Sequence, residues 1–300
     1  MASSFEIILV PTLMILVGML LKRLNILKEG DSAALSKIVL NITLPSLIFV
    51  NLSKASINNE LLVLPITAIF IVLVTMAIAY IYSRIMSYSK ATTWTIIIAS
   101  SMMNTAFIGY PVIMGVLGNE GFVTSIFYDM VIAVMFVVFG MILVSQFGGN
   151  KRQVLKNGIT FMPLWAVILG LLFNLFNIPL GYVIGNSLDY LSQATIPLIM
   201  LSLGLKISFS QISDKLKDTV FILSLRLLIA PLIVIMVLKF FNVTGLIYSV
   251  AVLDTAMPIA MNALVLSITY DLDNQLMASV IFSSTILCLI TLSLFITFGI

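Results

Sequence analysis

Apolar residues run along this chain in stretches of about twenty, separated by short polar or turn-forming breaks. That is the pattern of helices crossing a bilayer, not of amphipathic helices laid on a soluble core. Ten stretches predict ten spans, at roughly residues 5–21, 33–53, 61–83, 91–117, 121–147, 159–178, 184–206, 219–241, 244–268 and 276–299. The breaks, among them KRLNILKEGDS, SRIMSYSK, GGNKRQVLKNG and SQISDKLKD, are too short to hold a soluble domain. The first stretch lacks a basic leader and a small-residue cleavage site, so it is expected to be a retained helix.

Composition sharpens this picture. Of the 300 residues, 61% are hydrophobic and only 9% charged, with a mean hydropathy of +1.20. A water-soluble domain carries about a quarter charged residues, so the fold class is an all-α polytopic membrane protein whose partner is the lipid bilayer. The absence of His removes His-ligated metals, His general bases and Ser-His-Asp arrangements. The single Cys288 lies in an apolar run, which removes disulfide frameworks and Cys zinc sites. No enzyme chemistry and no cofactor is expected, and a net charge of +3 gives no reason for a nucleic-acid partner. The placement of charge says more. Lys22, Arg23, Lys28, Lys37, Arg84, Lys90, Lys151, Arg152, Lys156, Lys206, Lys215 and Lys217 fall between spans 1–2, 3–4, 5–6 and 7–8, whereas the opposite side holds only Lys54 and Lys239. The positive-inside rule then puts those loops in the cytoplasm and both termini outside the cell membrane. The loop between spans 9 and 10 carries Asp271, Asp273 and no base, but acidic residues count for little under this rule.

The two halves match at an offset of 152 residues. PTLMILVGMLLKRLNI over PLWAVILGLLFNLFNI pairs Pro11 with Pro163, Gly18 with Gly170 and Asn25 with Asn177. The same offset carries Thr43, Pro45 and Lys54 onto Thr195, Pro197 and Lys206. Residues 1–150 and 151–300 therefore form two five-span repeats. An odd number of spans inserts the second copy upside down, the architecture of many secondary transporters.

Two corresponding spans are interrupted. Span 4 contains SSMMNTAFIGYP, with Asn104, Thr105, Gly109, Tyr110 and Pro111 at mid-membrane, and span 9 contains LDTAMPIAMN, with Asp254, Thr255, Pro258 and Asn262. Pro removes an amide donor and Gly relaxes the backbone. Broken backbone at this depth is tolerated only against protein or a water-filled cavity. Freed amides at a half-helix N-terminus attract anions, while freed carbonyls suit cations. Pro45 and Pro197, beside Asn41 and Gln193 in spans 2 and 7, either face the same cavity or only kink their helices. Ionisable groups inside spans are functional candidates because burying a charge is costly. Here they are Asp129 in span 5, Arg226 in span 8 and Asp254 in span 9. Arg226 is either a counter-charge for substrate or a partner for one of the carboxylates, and Asp189 reads as a helix cap.

The segments LKRLNIL…LSKIVLNITLPSLIF, NTAFIGYPVIMGVLG…YD, ATIPLIMLSLGL and RLLIAPLI…DTAMPIAMNALVL, in this order, resemble the auxin efflux carrier family in its short prokaryotic form, which includes carriers of malate and malonate. The resemblance covers nearly the whole chain. It implies ten helices in two inverted five-helix repeats, an architecture related to bile acid/sodium symporters. Spans 1, 2, 6 and 7 would be a scaffold, and spans 3–5 and 8–10 a moving transport domain. The fourth helix of each repeat would break at its proline, and the two would cross at the site. The carry-over falls on Asn104, Thr105 and Pro111, and on Asp254, Thr255 and Pro258. Asp129 and Asp254 would bind the coupling ion, and would be metal ligands only if that ion is sodium rather than a proton.

The reading that joins these observations is an ion-coupled secondary transporter of small organic anions. Its substrate-binding residues would be Asn104, Thr105, Gly109, Tyr110, Pro111, Thr255, Pro258 and Asn262, with Pro45 and Pro197. A uniporter of the same fold and a membrane-embedded anion sensor are the alternatives. A homodimer is compatible with the sequence but not dictated by it.

Overall fold

The computed structural model describes residues 4–206 and 215–300; the first five residues of the break SQISDKLKD lie outside them. Among the described residues every regular element is helical. The only strand-like pairing there is a single antiparallel bridge between Met103 and Ile259.

The chain opens with Ser4–Arg23 (α1). Asp31–Ile38 (α2) then runs through a wider π segment, Val39–Thr43, into Leu44–Ser53 (α3). Val63–Ile85 (α4) is the third predicted span. Lys90–Ser101 (α5) is followed by a break, a π segment at Thr105–Gly109, and Tyr110–Phe147 (α6), which turns at Gly118. The second half holds Lys151–Ile159 (α7), Met162–Leu175 (α8), Tyr182–Gln193 (α9) and Thr195–Lys206 (α10). Leu216–Ser224 (α11) passes through the π segment Leu225–Ile229 into Ala230–Phe240 (α12). Gly245–Thr255 (α13), Asn262–Thr269 (α14) and Asn274–Phe298 (α15) complete the chain.

Among the described residues, six helical stretches are long and apolar enough to cross a membrane: Asp31–Ser53, Asn59–Ile85, Thr105–Phe147, Tyr182–Lys206, Leu216–Phe240 and Asn274–Phe298. The pair α7 and α8, bent by 45°, makes a seventh if taken as one span. Ten were expected. Part of the difference has a simple cause, because the two interrupted spans exist only as pieces. α5, α13 and α14 have 12, 11 and 8 residues, against the twenty or so that a full crossing needs.

Each π segment ends two residues before a proline. Val39–Thr43 precedes Pro45, Thr105–Gly109 precedes Pro111, and Leu225–Ile229 precedes Pro231. Proline has no N–H, and its ring collides with the carbonyl four residues back. Widening the preceding turn shifts the bonding register and removes that collision. The proline then sits in the first turn of the next helix, where its missing donor costs little.

The chain divides into two compact units. One comprises residues 1–59, 110–126 and 159–207; the other comprises 60–109, 127–158 and 208–300. In the first, α1 packs along α10 and α3 along α8. The backbones nearly touch: a Cβ on Gly18 would lie 2.6 Å from the Leu201 carbonyl oxygen and 3.0 Å from Gly204 Cα. A Cβ on Gly170 would lie 2.9 Å from Leu52 Cβ and 3.4 Å from the Phe49 carbonyl oxygen. Small residues at such seams are how membrane helices gain contact, since apolar burial gives no drive in lipid. The offset of 152 residues exchanges these two contacts: Gly18 becomes Gly170, Phe49 becomes Leu201, and Leu52 becomes Gly204.

The second unit packs α4 on α5, α12 on α13, and α15 on α5 and α11. Ile96, Ile98, Phe139, Leu143, Leu266, Met277 and Val280 fill its core. At one end, the Tyr82 and Tyr88 hydroxyls donate to Asp218 Oδ1 at 2.9 and 2.5 Å. Burial, and then the bond to Asp218, push the Tyr88 phenol upward, so it remains a proton donor.

Candidate functional site

The two interrupted spans cross inside the second unit. α5 ends at Ser101, Met102 turns extended, and the chain runs antiparallel to residues 258–260 for three positions. Asn104 N donates to the Pro258 carbonyl at 2.8 Å, and Ala260 N donates to the Met102 carbonyl at 3.0 Å. These bonds satisfy backbone groups that neither lipid nor a helix would satisfy. Ser284 of α15 supports the crossing from the side, its Oγ accepting from Ile259 N at 3.2 Å.

The break in span 4 does not fall at its proline. It occupies Met102–Asn104, while Pro111 lies in the first turn of α6. Asn104 starts the chain again: its carbonyl accepts from Ile108 N and Gly109 N at 3.3 and 3.1 Å, and its Oδ1 accepts from Phe107 N at 3.2 Å. This side-chain cap is the local reason the π segment begins there. Asn104 Nδ2 is buried and donates to nothing. In span 9 the break does include its proline: residues 256–261 leave the helix, with Pro258 at the point of crossing.

Several expected site residues converge here. The Thr105 hydroxyl donates to Asp129 Oδ1. Asp129 is half-buried and Asp254 fully buried. A Cβ on Gly109 would lie 3.2 Å from Asp254 Oδ1 and 3.4 Å from Met257 Cγ, so glycine there leaves room for the carboxylate. Thr255 Oγ1 donates to the Ala251 carbonyl at 2.7 Å and accepts from the Tyr128 hydroxyl at 2.8 Å. That hydroxyl also lies 3.3 Å from Met103 Sδ.

Arg226 is fully buried in the π segment Leu225–Ile229. Its hydrogen bonds go to backbone: Nη2 donates to the Thr255 carbonyl, and Nη1 reaches the Ser100 carbonyl at 3.4 Å. The guanidinium thus touches the last turn of α5 and of α13 together.

Not every expected residue belongs to this unit or is buried in it. Tyr110 and Pro111 belong to the first unit, as do Pro45 and Pro197. Tyr110 packs its ring edge-on to Phe122 at 4.9 Å. Asn262 opens α14 with an exposed side chain. Asp189 has an intermediate exposure within α9 rather than at its start. Sequence reasoning missed Tyr128, Met103, Ser100 and Ser284. Only Tyr128 carried a signal, a hydroxyl in mid-span beside Asp129. Among the described residues no group of three or more acidic, Cys or His side chains is gathered to hold a metal. A cation here would rely on Asp129 or Asp254 with backbone carbonyls.

A family model described as "Membrane transport protein" matches residues 4–296. An uncharacterized transporter of Methanothermobacter thermautotrophicus is 40% identical over 294 residues, covering 97% of each chain. An uncharacterized transporter of Methanocaldococcus jannaschii is 33% identical over 297 residues, covering 96% of each. With two interrupted apolar spans crossing in one unit and likeness of this length, the chain belongs to the membrane transport protein family, the auxin efflux carrier family that its motifs resemble.

Proposed function

We propose that the protein is a secondary transporter that carries small organic anions, carboxylates above all, across the cell membrane by alternating access. The observation that carries this reading is the crossing of two broken helices around Asn104, whose buried Nδ2 has a donor to give and no partner. A buried amide donor without an acceptor is costly, and a substrate carboxylate would remove that cost. The π segment that follows offers backbone amides at the start of a helix, which favour an anion further.

Asp129 and Asp254 are the groups to bind a coupling proton or sodium ion. Thr105 links one of them to the anion locus. While Asp129 is ionised, the Thr105 hydroxyl donates to it. A proton on Asp129 gives that carboxyl its own donor and releases the hydroxyl toward substrate, so anion and proton favour each other's binding.

Ten spans in two inverted repeats, with both termini outside, are part of the same proposal. The exchange of the Gly18 and Gly170 seams under one offset supports the repeat. The unit of residues 60–109, 127–158 and 208–300 would move with the crossing while the other unit stays fixed, an elevator motion. The division of the chain into two compact units supports that assignment.

Flux in proteoliposomes against a panel of mono- and dicarboxylates, with sodium and pH gradients imposed separately, tests the function. Accumulation of one or more carboxylates driven by a gradient is the expected result. Flux without gradient dependence would favour a uniporter, and binding without flux a sensor.

A further inference from the structure

We infer that Arg226 is the resident cation of the crossing: it fills the place between the C-terminal ends of α5 and α13 where a transported sodium ion would be held. The inference rests on the crossing being the transport site, and it removes sodium at these helix ends from the coupling ions proposed above.

The argument begins with the two helix ends. An α-helix carries about half a negative charge at its C-terminus, on carbonyls that no later amide satisfies. α5 and α13 both stop at the crossing, at Ser101 and Thr255, so about one negative charge is gathered there. In broken-helix transporters such freed carbonyls coordinate the transported cation. In this protein the Ser100 and Thr255 carbonyls already face one guanidinium. A single fixed positive charge balances two half-charges, which gives a physical reason for a fully buried Arg in a membrane unit. Planarity helps, because the two Nη atoms of one fork reach two different helix ends.

The π segment makes this position available. Pro231 forces the turn before it to widen, and Arg226 is the second residue of that widened turn. A second monovalent cation within about 4 Å of the guanidinium would lose about a thousandfold in affinity to repulsion, at the effective dielectric of protein interiors. The carbonyl ends are therefore closed to sodium as long as Arg226 is present.

The test uses thermal unfolding of the purified full-length protein in detergent, without any anion substrate. Chloride salts of sodium, potassium and N-methyl-glucamine are compared at equal ionic strength. The wild-type midpoint should agree among the three within about 1 °C, whereas a saturated sodium site would raise it in sodium alone by about 5 °C. Arg226→Ala should lower the midpoint, and millimolar guanidinium should restore part of the loss. Arg226→Lys, which keeps the charge, should be more stable than Arg226→Gln, which keeps a hydrogen-bond donor without charge. If Arg226→Ala does not fold, the wild-type and Lys-against-Gln comparisons still decide. A sodium-specific rise in the wild type, an Arg226→Ala protein indifferent to guanidinium, or a Gln variant at least as stable as the Lys variant would each overturn the inference. None of these readouts involves a transported anion, so they can fail while carboxylate flux in proteoliposomes succeeds, and the reverse.

Discussion

In one unit, backbones approach where Gly18 faces Gly204 and where Gly170 faces Leu52; in the other, they approach where Met103 meets Ile259. The first contacts join helix surfaces with no break at the contact, and one side chain crosses the Gly170 seam, Asn174 Nδ2 of α8 donating to the Leu52 and Ala55 carbonyls at 3.0 and 2.7 Å. The second joins two helices that have given up their ladders, and it must satisfy freed groups with Asn104, Ser284, Arg226 and the opposing strand-like segment. The glycine seams leave no room for an added atom, and a polar side chain enters the Gly170 seam only where α3 ends. The crossing calls for partners to its freed backbone groups, and Asn104 Nδ2 still has both its N–H donors to spare. A seam of the first kind stabilises; a crossing of the second kind spends stability on a place where a ligand can bind.

Five substitutions break or sharpen this contrast. The largest effect is expected at the seam. A Cβ on Gly204 would lie 2.8 Å from Gly18 Cα and 2.9 Å from Met19 N, both backbone atoms that cannot swing aside. Gly204→Leu should therefore cost about 3 kcal/mol or more by overpacking, read as a large fall in the unfolding midpoint. A midpoint unchanged from wild type would show that α1 and α10 can part without penalty.

Next comes Asp254→Asn, with Asp129→Asn as its companion. Asn keeps the size and hydrogen bonding of Asp but neither titrates nor balances a cation. One of the two variants should lose gradient-driven accumulation while keeping some exchange of internal for external substrate. Intact accumulation in both would take coupling away from these carboxylates.

Asn104→Ala is expected to weaken substrate binding by about ten- to a hundredfold, the worth of a hydrogen bond to a charged group at about 1.5–3 kcal/mol. Folding and insertion should survive, since the capping bond to Phe107 N is one contact among several at that turn. An unchanged dissociation constant removes Asn104 from the site. The smallest effect belongs to Tyr128→Phe, which deletes a hydroxyl donating to Thr255. About 1 kcal/mol of stability should go with it. Because Thr255 keeps its own bond to Ala251, affinity for the anion should change less than in Asn104→Ala. A larger loss of affinity in Tyr128→Phe would move the anion locus from Asn104 toward span 9.

Much of this was legible before any coordinates. NTAFIGYP and DTAMPIAMN announced two interrupted helices, and Asn104, Thr105, Gly109, Thr255, Pro258, Asp129, Asp254 and Arg226 do converge in one unit. The position of the first break was not legible from the proline rule, because a π turn lets Pro111 enter the next helix without breaking it. The partners of Arg226 were not legible either. A charge in a span suggests a countercharge, but the guanidinium hydrogen-bonds two carbonyls that become acceptors only because α5 and α13 end together.

What the sequence determined by itself is the membrane-spanning class, the polar interruptions and the 152-residue internal match. Each depends on local composition or on a spacing along the chain. Tertiary structure decided which atoms meet: Asn104 with Pro258, Tyr128 with Thr255, Arg226 with two helix ends, Gly18 with Gly204. Those pairs lie up to 186 residues apart in the chain. Their energies come from backbone groups freed by breaks and from helix surfaces brought into register, quantities with no local signature in a run of apolar letters.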